Sequence, residues 1–164
     1  MISCSEPTPR RPITHKSSTF LNESVEFNKK LNLAEEKLIK DYISKDSLSF
    51  YNISPYGFWF KYLNKNSSDS YTPKEGDVLE VEYEISNLSN EVLYSSEASE
   101  NLIYKVDKQE IINGLQKGLK LLKRNEEVVF IFPSFNAYGK TGDGDRIGIH
   151  QPIIYKVKII KINN

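Results

Sequence analysis

The stretch QEIINGLQKGLKLL, residues 109–122, decides how this chain is read. Before it, apolar residues recur with period two; here the period changes. Ile111, Ile112, Leu115, Leu119 and Leu122 fall on one helical face. The run from Glu110 to Arg124 ends on Lys120, Lys123 and Arg124, cations that suit a helix C-terminus. One short helix is therefore predicted over 110–124.

Strands flank it on both sides. From Val78 to Ile85, Val81, Tyr83 and Ile85 point one way and Glu80, Glu82 and Glu84 the other, a strand with one wet face. The aromatic run Phe58 to Leu63 has strand propensity, and Leu93–Ser96 and Leu102–Val106 read as shorter strands. After the helix come the two strongest strands, Glu127–Phe132 and Ile153–Ile162. The Gly-bearing segment 133–152 joins them, and a loop that long inside a compact domain is usually functional. Several strands, one helix, then two strands describe an α+β fold: an antiparallel sheet with a helix packed on one face.

Further out the chain changes character. Residues 5–19, SEPTPRRPITHKSST, hold three prolines and little to bury, so 1–19 reads as a flexible tether. Residues 20–50 form a helical extension, with Leu31, Ala34, Leu38 and Tyr42 at helical spacing and Ile39 and Ile43 beside them. Asn32 followed by Glu35 resembles a capping box, which places the firm start near Leu33. That apolar stripe either lies on the chain's own domain or meets a second copy or another partner. Ser54-Pro55-Tyr56-Gly57 ends the helical pattern, and 51–164 forms the main domain.

Composition excludes several functions. Net charge is zero, so the electrostatic footprint of a nucleic-acid binder is missing. One cysteine excludes an internal disulfide and a cysteine-rich zinc site. His15 and His150 lie far apart, no phosphate-binding glycine motif occurs, and Gly142-Asp-Gly-Asp145 lacks the spaced ligands of a calcium loop and reads as a turn. No cofactor or metal is expected.

The 109–122 stretch also resembles the central helix of FK506-binding-protein-type prolyl isomerases. Pro73 to Tyr83 (PKEGDVLEVEY) resembles that family's opening strand, Phe132-Pro133 with Ala137-Tyr138-Gly139 its loop after the fourth strand, and Ile147 with Ile153 to Ile160 its closing strand. Each match alone is weak; together, in family order across Pro73–Asn164, they are specific. The resemblance implies five or six antiparallel strands wrapped around one short helix, and a pocket that isomerises Xaa-Pro bonds in polypeptide clients. It places that pocket on Tyr83, Leu93, Tyr94, Leu102, Ile111, Ile112, Leu115, Tyr138, Ile147 and Tyr155. It gives catalytic roles to Tyr83 as a wall, to the Ile112 amide as a donor to the substrate backbone, and to Tyr138 as a donor to the carbonyl before proline. Without the resemblance, Tyr138 is equally a loop aromatic, and Tyr83, Ile111 and Leu115 are core residues.

The sequence departs from the family pattern at several of these positions. Leu115 stands for the usual tryptophan floor, Leu93-Tyr94 for a Phe-Asp pair, Leu102 for a phenylalanine and Ile147-Gly148-Ile149 for Ile-Pro-Pro. Shrinking three aromatic contacts weakens ligand binding by a few kcal/mol at about 25 cal/mol per Å². Losing the carboxylate removes the usual support for Tyr138. An active isomerase and a catalytically weak binding module therefore both remain open.

The acidic helix, the Phe58-Trp59-Phe60 strand and the start Met1-Ile-Ser-Cys4 resemble a narrower group, the gliding-motility-associated prolyl-isomerase lipoproteins of Bacteroidetes. On that reading Cys4 is lipidated, the proline-rich stretch tethers the domain, and the protein sits in the cell envelope or periplasm. The alternative is an ordinary thiol at Cys4, since no signal-peptide core stands before it here.

Overall fold

The computed structural model describes residues 17–46, 50–98 and 100–164, with backbone alone at 17–20. Cys4, His15 and the first sixteen residues of the tether lie outside the described residues. Two compact units divide between Leu31 and Asn32. The first described element, α1 (Ser17–Lys45), runs across that division, with Leu21, Val25 and Phe27 exposed in the first unit. The helix is continuous, so Asn32 and Glu35 form no capping box; helix-forming residues on both sides of Asn32 carry the turn through it.

The unit Asn32–Asn164 is built on a seven-stranded sheet, two strands larger than the smaller expectation. Its strands are β1 (Asn52–Ile53), β2 (Trp59–Asn64), β3 (Val78–Asn87), β4 (Val92–Ser95), β5 (Leu102–Lys105), β6 (Glu127–Phe132) and β7 (Ile153–Asn163). The order is β1-β2-β6-β7-β3-β4, with β5 also on β3, and every pairing is antiparallel. Sequence alternation decides which residues share a face. Phe58 and, along β6, Val128, Phe130 and Phe132 point into the main core, where the Phe58 ring meets Phe130 at 5.6 Å and Phe132 at 5.2 Å. Trp59, Val129 and Ile131 point to the other side, where with Ile154 they meet Ile39 of α1. From Val128 to Phe132 strand β6 is apolar and buried, because both of its faces are covered.

The apolar stripe of α1 packs only in part. Ala34 and Leu38 are exposed and Leu31 and Tyr42 half-buried, whereas Ile39, beside the stripe, is buried together with Glu35, and Ile43 is half-buried. The second helix is also shorter than its pattern: α2 spans Asn113–Leu119 and buries Leu115 and Leu119 in the main core. Ile111 and Ile112 precede it, and Ile112 has an extended backbone (φ −56°, ψ 139°). Their apolarity serves the surface they face, which mimics a helical period.

Candidate active site

Sheet curvature and α2 leave an open cleft of about 490 Å³ beside the start of the helix. Walls come from three sources. Strand β3 supplies Tyr83 and Ile85, β5 supplies Leu102 and Ile103, and the turn into α2 supplies Ile111 and Ile112. Leu115 lies at the helix side, Tyr155 of β7 at the back, and Tyr138 on the loop after β6. The Tyr83 and Tyr155 rings lie 6.5 Å apart at 37°, forming an aromatic corner. Ile111 and Ile112 are held in place when Gln116 donates to both carbonyls, from its side-chain amide and its backbone N–H (3.1 Å each). No hydrogen bond engages the Ile112 amide among the described residues.

Tyr138 and Tyr155 place their hydroxyls 3.3 Å apart. Tyr155 is 5 % exposed, and burial, reinforced by Tyr138, pushes its hydroxyl well above the ordinary phenol range. It therefore stays protonated and can donate to Tyr138, which leaves the Tyr138 proton for a carbonyl in the cleft. Nothing in this arrangement is nucleophilic. It can surround an apolar ring and aim a hydroxyl at a peptide oxygen.

Eight of the ten pocket positions read from the sequence meet at this cleft: Tyr83, Tyr94, Leu102, Ile111, Ile112, Leu115, Tyr138 and Tyr155. Leu93 and Ile147 do not. Both are buried in the main core, at 7 % and 3 % exposure, and pack beneath the cleft rather than line it. A bulge explains Leu93: β3 pairs Ile85 with Tyr94 and then Ser86 with Val92, so Leu93 is the extra residue. The bulge lets Leu93 and its neighbour Tyr94 both join the main core side, which strict alternation forbids.

Asp143 is the residue that sequence reasoning missed. The Tyr94 hydroxyl donates to its Oδ2 at 2.6 Å, and the Asp145 and Ile147 amides donate to its Oδ1 at 2.9 and 2.8 Å. A carboxylate thus lines the cleft after all, brought by the loop rather than by β4. The Tyr94 hydroxyl is pushed up to about 12, first by that hydrogen bond and then by desolvation. For Asp143 desolvation acts upward, yet the Tyr94 hydroxyl and the loop amides outweigh it and hold the carboxyl below its ordinary range. The signal was present in Gly142-Asp-Gly-Asp145, where Gly142 (φ +68°) and Gly144 (φ +83°) allow the turn that wraps the amides around Asp143. Among the described residues, no group of three or more His, Cys, Asp or Glu side chains is placed to hold a metal ion. His150, with φ +51°, donates its amide to Gly139 at 2.8 Å and belongs to the same loop.

An antiparallel sheet packed on one short helix, with an open tyrosine-cornered apolar cleft, defines an α+β domain with a concave apolar site beside the helix start. Residues 69–160 match the family described as FKBP-type peptidyl-prolyl cis-trans isomerase, and the chain belongs to that family. Among curated relatives it is 29 % identical over 127 residues to the "Probable FKBP-type peptidyl-prolyl cis-trans isomerase FkpA" of Neisseria meningitidis serogroup B. That alignment takes in 77 % of this chain and 44 % of the relative, so the chain spans less than half of the relative's length. Among solved structures, a peptidyl-prolyl cis-trans isomerase of Pseudomonas syringae pv. tomato shares the fold, with a TM-score of 0.67 and 18 % identity. The superposition covers 83 % of this chain and 96 % of that one.

Proposed function

We propose that this protein catalyses cis/trans isomerisation of Xaa-Pro bonds in polypeptide clients, with the proline ring seated between Tyr83, Ile112, Leu115 and Tyr155. The single observation that carries the reading is the apolar cleft of about 490 Å³ ending on the Tyr138 hydroxyl, in a chain of this family. Rotation about the amide must overcome a resonance barrier of ~18–20 kcal/mol. The planar amide is more polar than the twisted one, so an apolar cleft penalises the ground state. Tyr138 and the Ile112 amide then hold the twisted peptide through hydrogen bonds, and each 1.36 kcal/mol of such differential binding gives about tenfold in rate. Line-shape or exchange NMR on a short Xaa-Pro peptide tests this. Catalytic amounts of protein accelerate exchange if the reading holds; shifts from binding without faster exchange would replace it with the second reading.

That second reading is a binding module that holds proline-containing segments with little turnover. Leu102 and Leu115, smaller than the family's aromatic residues at those positions, favour it. On location, we read the chain as an exported envelope protein anchored through a lipid at Cys4, serving an assembly of the gliding-motility type. The support is the Ile2-Ser3-Cys4 sequence and the proline-rich stretch behind it. Metabolic labelling with a fatty acid analogue, lost on Cys4→Ser, tests the anchor. Exposed Leu33 and Leu38 offer α1 a partner or a second copy, and a mass by light scattering that rises with protein concentration would show the latter.

A further inference from the structure

The side of α1 that packs on the sheet carries a carboxylate where an apolar residue is expected. Glu35 is 3 % exposed, and burying a charge is unfavourable unless specific partners replace water. Both partners belong to one residue: the Ser134 amide donates to Oε2 at 2.7 Å, and the Ser134 hydroxyl donates to Oε1 at 2.6 Å. Ser134 opens a 3₁₀ turn, Ser134–Asn136, separated from β6 by Pro133 alone.

That turn supports both polar ends of the cleft. Its carbonyl at Ser134 accepts from the amides of Ala137 (2.9 Å) and Gly139 (2.8 Å), which bracket Tyr138. On its other side the Asn136 carbonyl oxygen lies 2.9 Å from where a Cβ on Gly114 would stand, two residues after Ile112. The Asn136 side-chain amide also donates to the carbonyls of Tyr56 and Gly57 at 3.0 and 3.1 Å, fixing the turn's far end to the chain before β2. A displacement at Ser134 therefore reaches Tyr138 through the backbone and Ile112 through the contact at Gly114.

We propose that Glu35 is a positioning residue for the cleft, fixing through Ser134 the turn that sets Tyr138 against Ile112. This rests on the isomerase reading for its kinetic consequence, but its structural consequence stands without it. Glu35 touches no substrate. Its contribution is geometric, and a site held ~1 Å off its productive geometry loses rate far more than it loses folding.

The test uses the full chain with Glu35→Ala, Glu35→Gln, Glu35→Asp and Ser134→Ala. Two readouts are taken well below the unfolding temperature: amide resonances of Ile112, Tyr138 and Gly139 without ligand, and kcat and KM for a short Xaa-Pro peptide. Glu35→Ala is expected to displace all three resonances and lower kcat about tenfold, with a smaller change in KM. Glu35→Gln keeps an oxygen for the Ser134 amide and should recover most of both. Wild-type resonances and kcat in Glu35→Ala, with only a lower Tm, would overturn the proposal. If Glu35→Ala does not fold, Glu35→Asp and Ser134→Ala decide, and unchanged resonances in both overturn it equally. A wild-type protein without turnover sinks the isomerase reading alone, because the resonance shifts still decide the role of Glu35.

Discussion

At the scale of single residues, the cleft depends on where a few hydroxyl protons point. Tyr138 holds one, steadied by its 3.3 Å contact with Tyr155. Removing a hydrogen bond made to the twisting peptide costs ~1.4 kcal/mol, so Tyr138→Phe should lower kcat/KM about tenfold while the melting temperature barely moves. Exchange NMR with and without the substitution checks this; equal rates would show that the hydroxyl is a bystander. Tyr94 and Asp143 make a second prediction, in pH. Asp143 has a folded value below the ordinary 3.8, so its contribution is complete above that value and is lost as pH falls through the lower one. Tyr94 is raised from 10.0 to about 12, so its contribution is complete below 10.0 and is lost as pH rises toward 12. The loop attachment should therefore be constant from roughly pH 5 to 9. The Asp145 and Ile147 amide resonances, followed by NMR, should stay flat across that range. Titration of either near neutrality would contradict the assignment.

At the scale of elements, α2 is placed by close approach. A Cβ on Gly114 would overlap the Phe132 ring, at the end of β6, and stand 2.9 Å from the Asn136 oxygen, on the turn after it. Gly114→Ala should destabilise by ~1–3 kcal/mol, typical of overpacking, despite its better helix propensity. Denaturant unfolding gives the value, and a stabilised variant would show that α2 shifts freely. The same elements show what a sequence can carry. Strand β3 was legible because one face is wet and Glu80, Glu82 and Glu84 mark it. The start of α2 was not: Ile111 and Ile112 are apolar because they line a cleft, and periodicity cannot tell a cleft from a core. Leu93 faces the core for a different reason, since a bulge shifts facing by one residue with no composition of its own. Asp143 escaped because its partner Tyr94 is 49 positions away, and only folding joins them.

At the scale of the molecule, the family match and the folded unit have different edges. The match begins at residue 69, yet β2 (Trp59–Asn64) pairs along β6, and Ile39 of α1 is fully buried against Trp59, Val129, Ile131 and Ile154. A fragment of residues 69–164 would leave β6 with an open edge and uncover that apolar face. Loss of Ile39 alone, as Ile39→Ala, should cost ~2–5 kcal/mol, and an unpaired strand edge adds a route to aggregation. A fragment of residues 32–164 keeps α1 from Asn32 onward, with Glu35 and Ile39, and the whole sheet. It should unfold cooperatively with a Tm close to that of the full chain and retain the dispersed amide spectrum of the cleft. The 69–164 fragment should be poorly soluble or melt far lower. Equal stability of the two fragments, measured by calorimetry, would mean that the helix and β2 only decorate a self-sufficient domain. The helix is expected instead to be part of the fold, because its one buried acid and one buried isoleucine close the outer face behind the strands that carry the cleft.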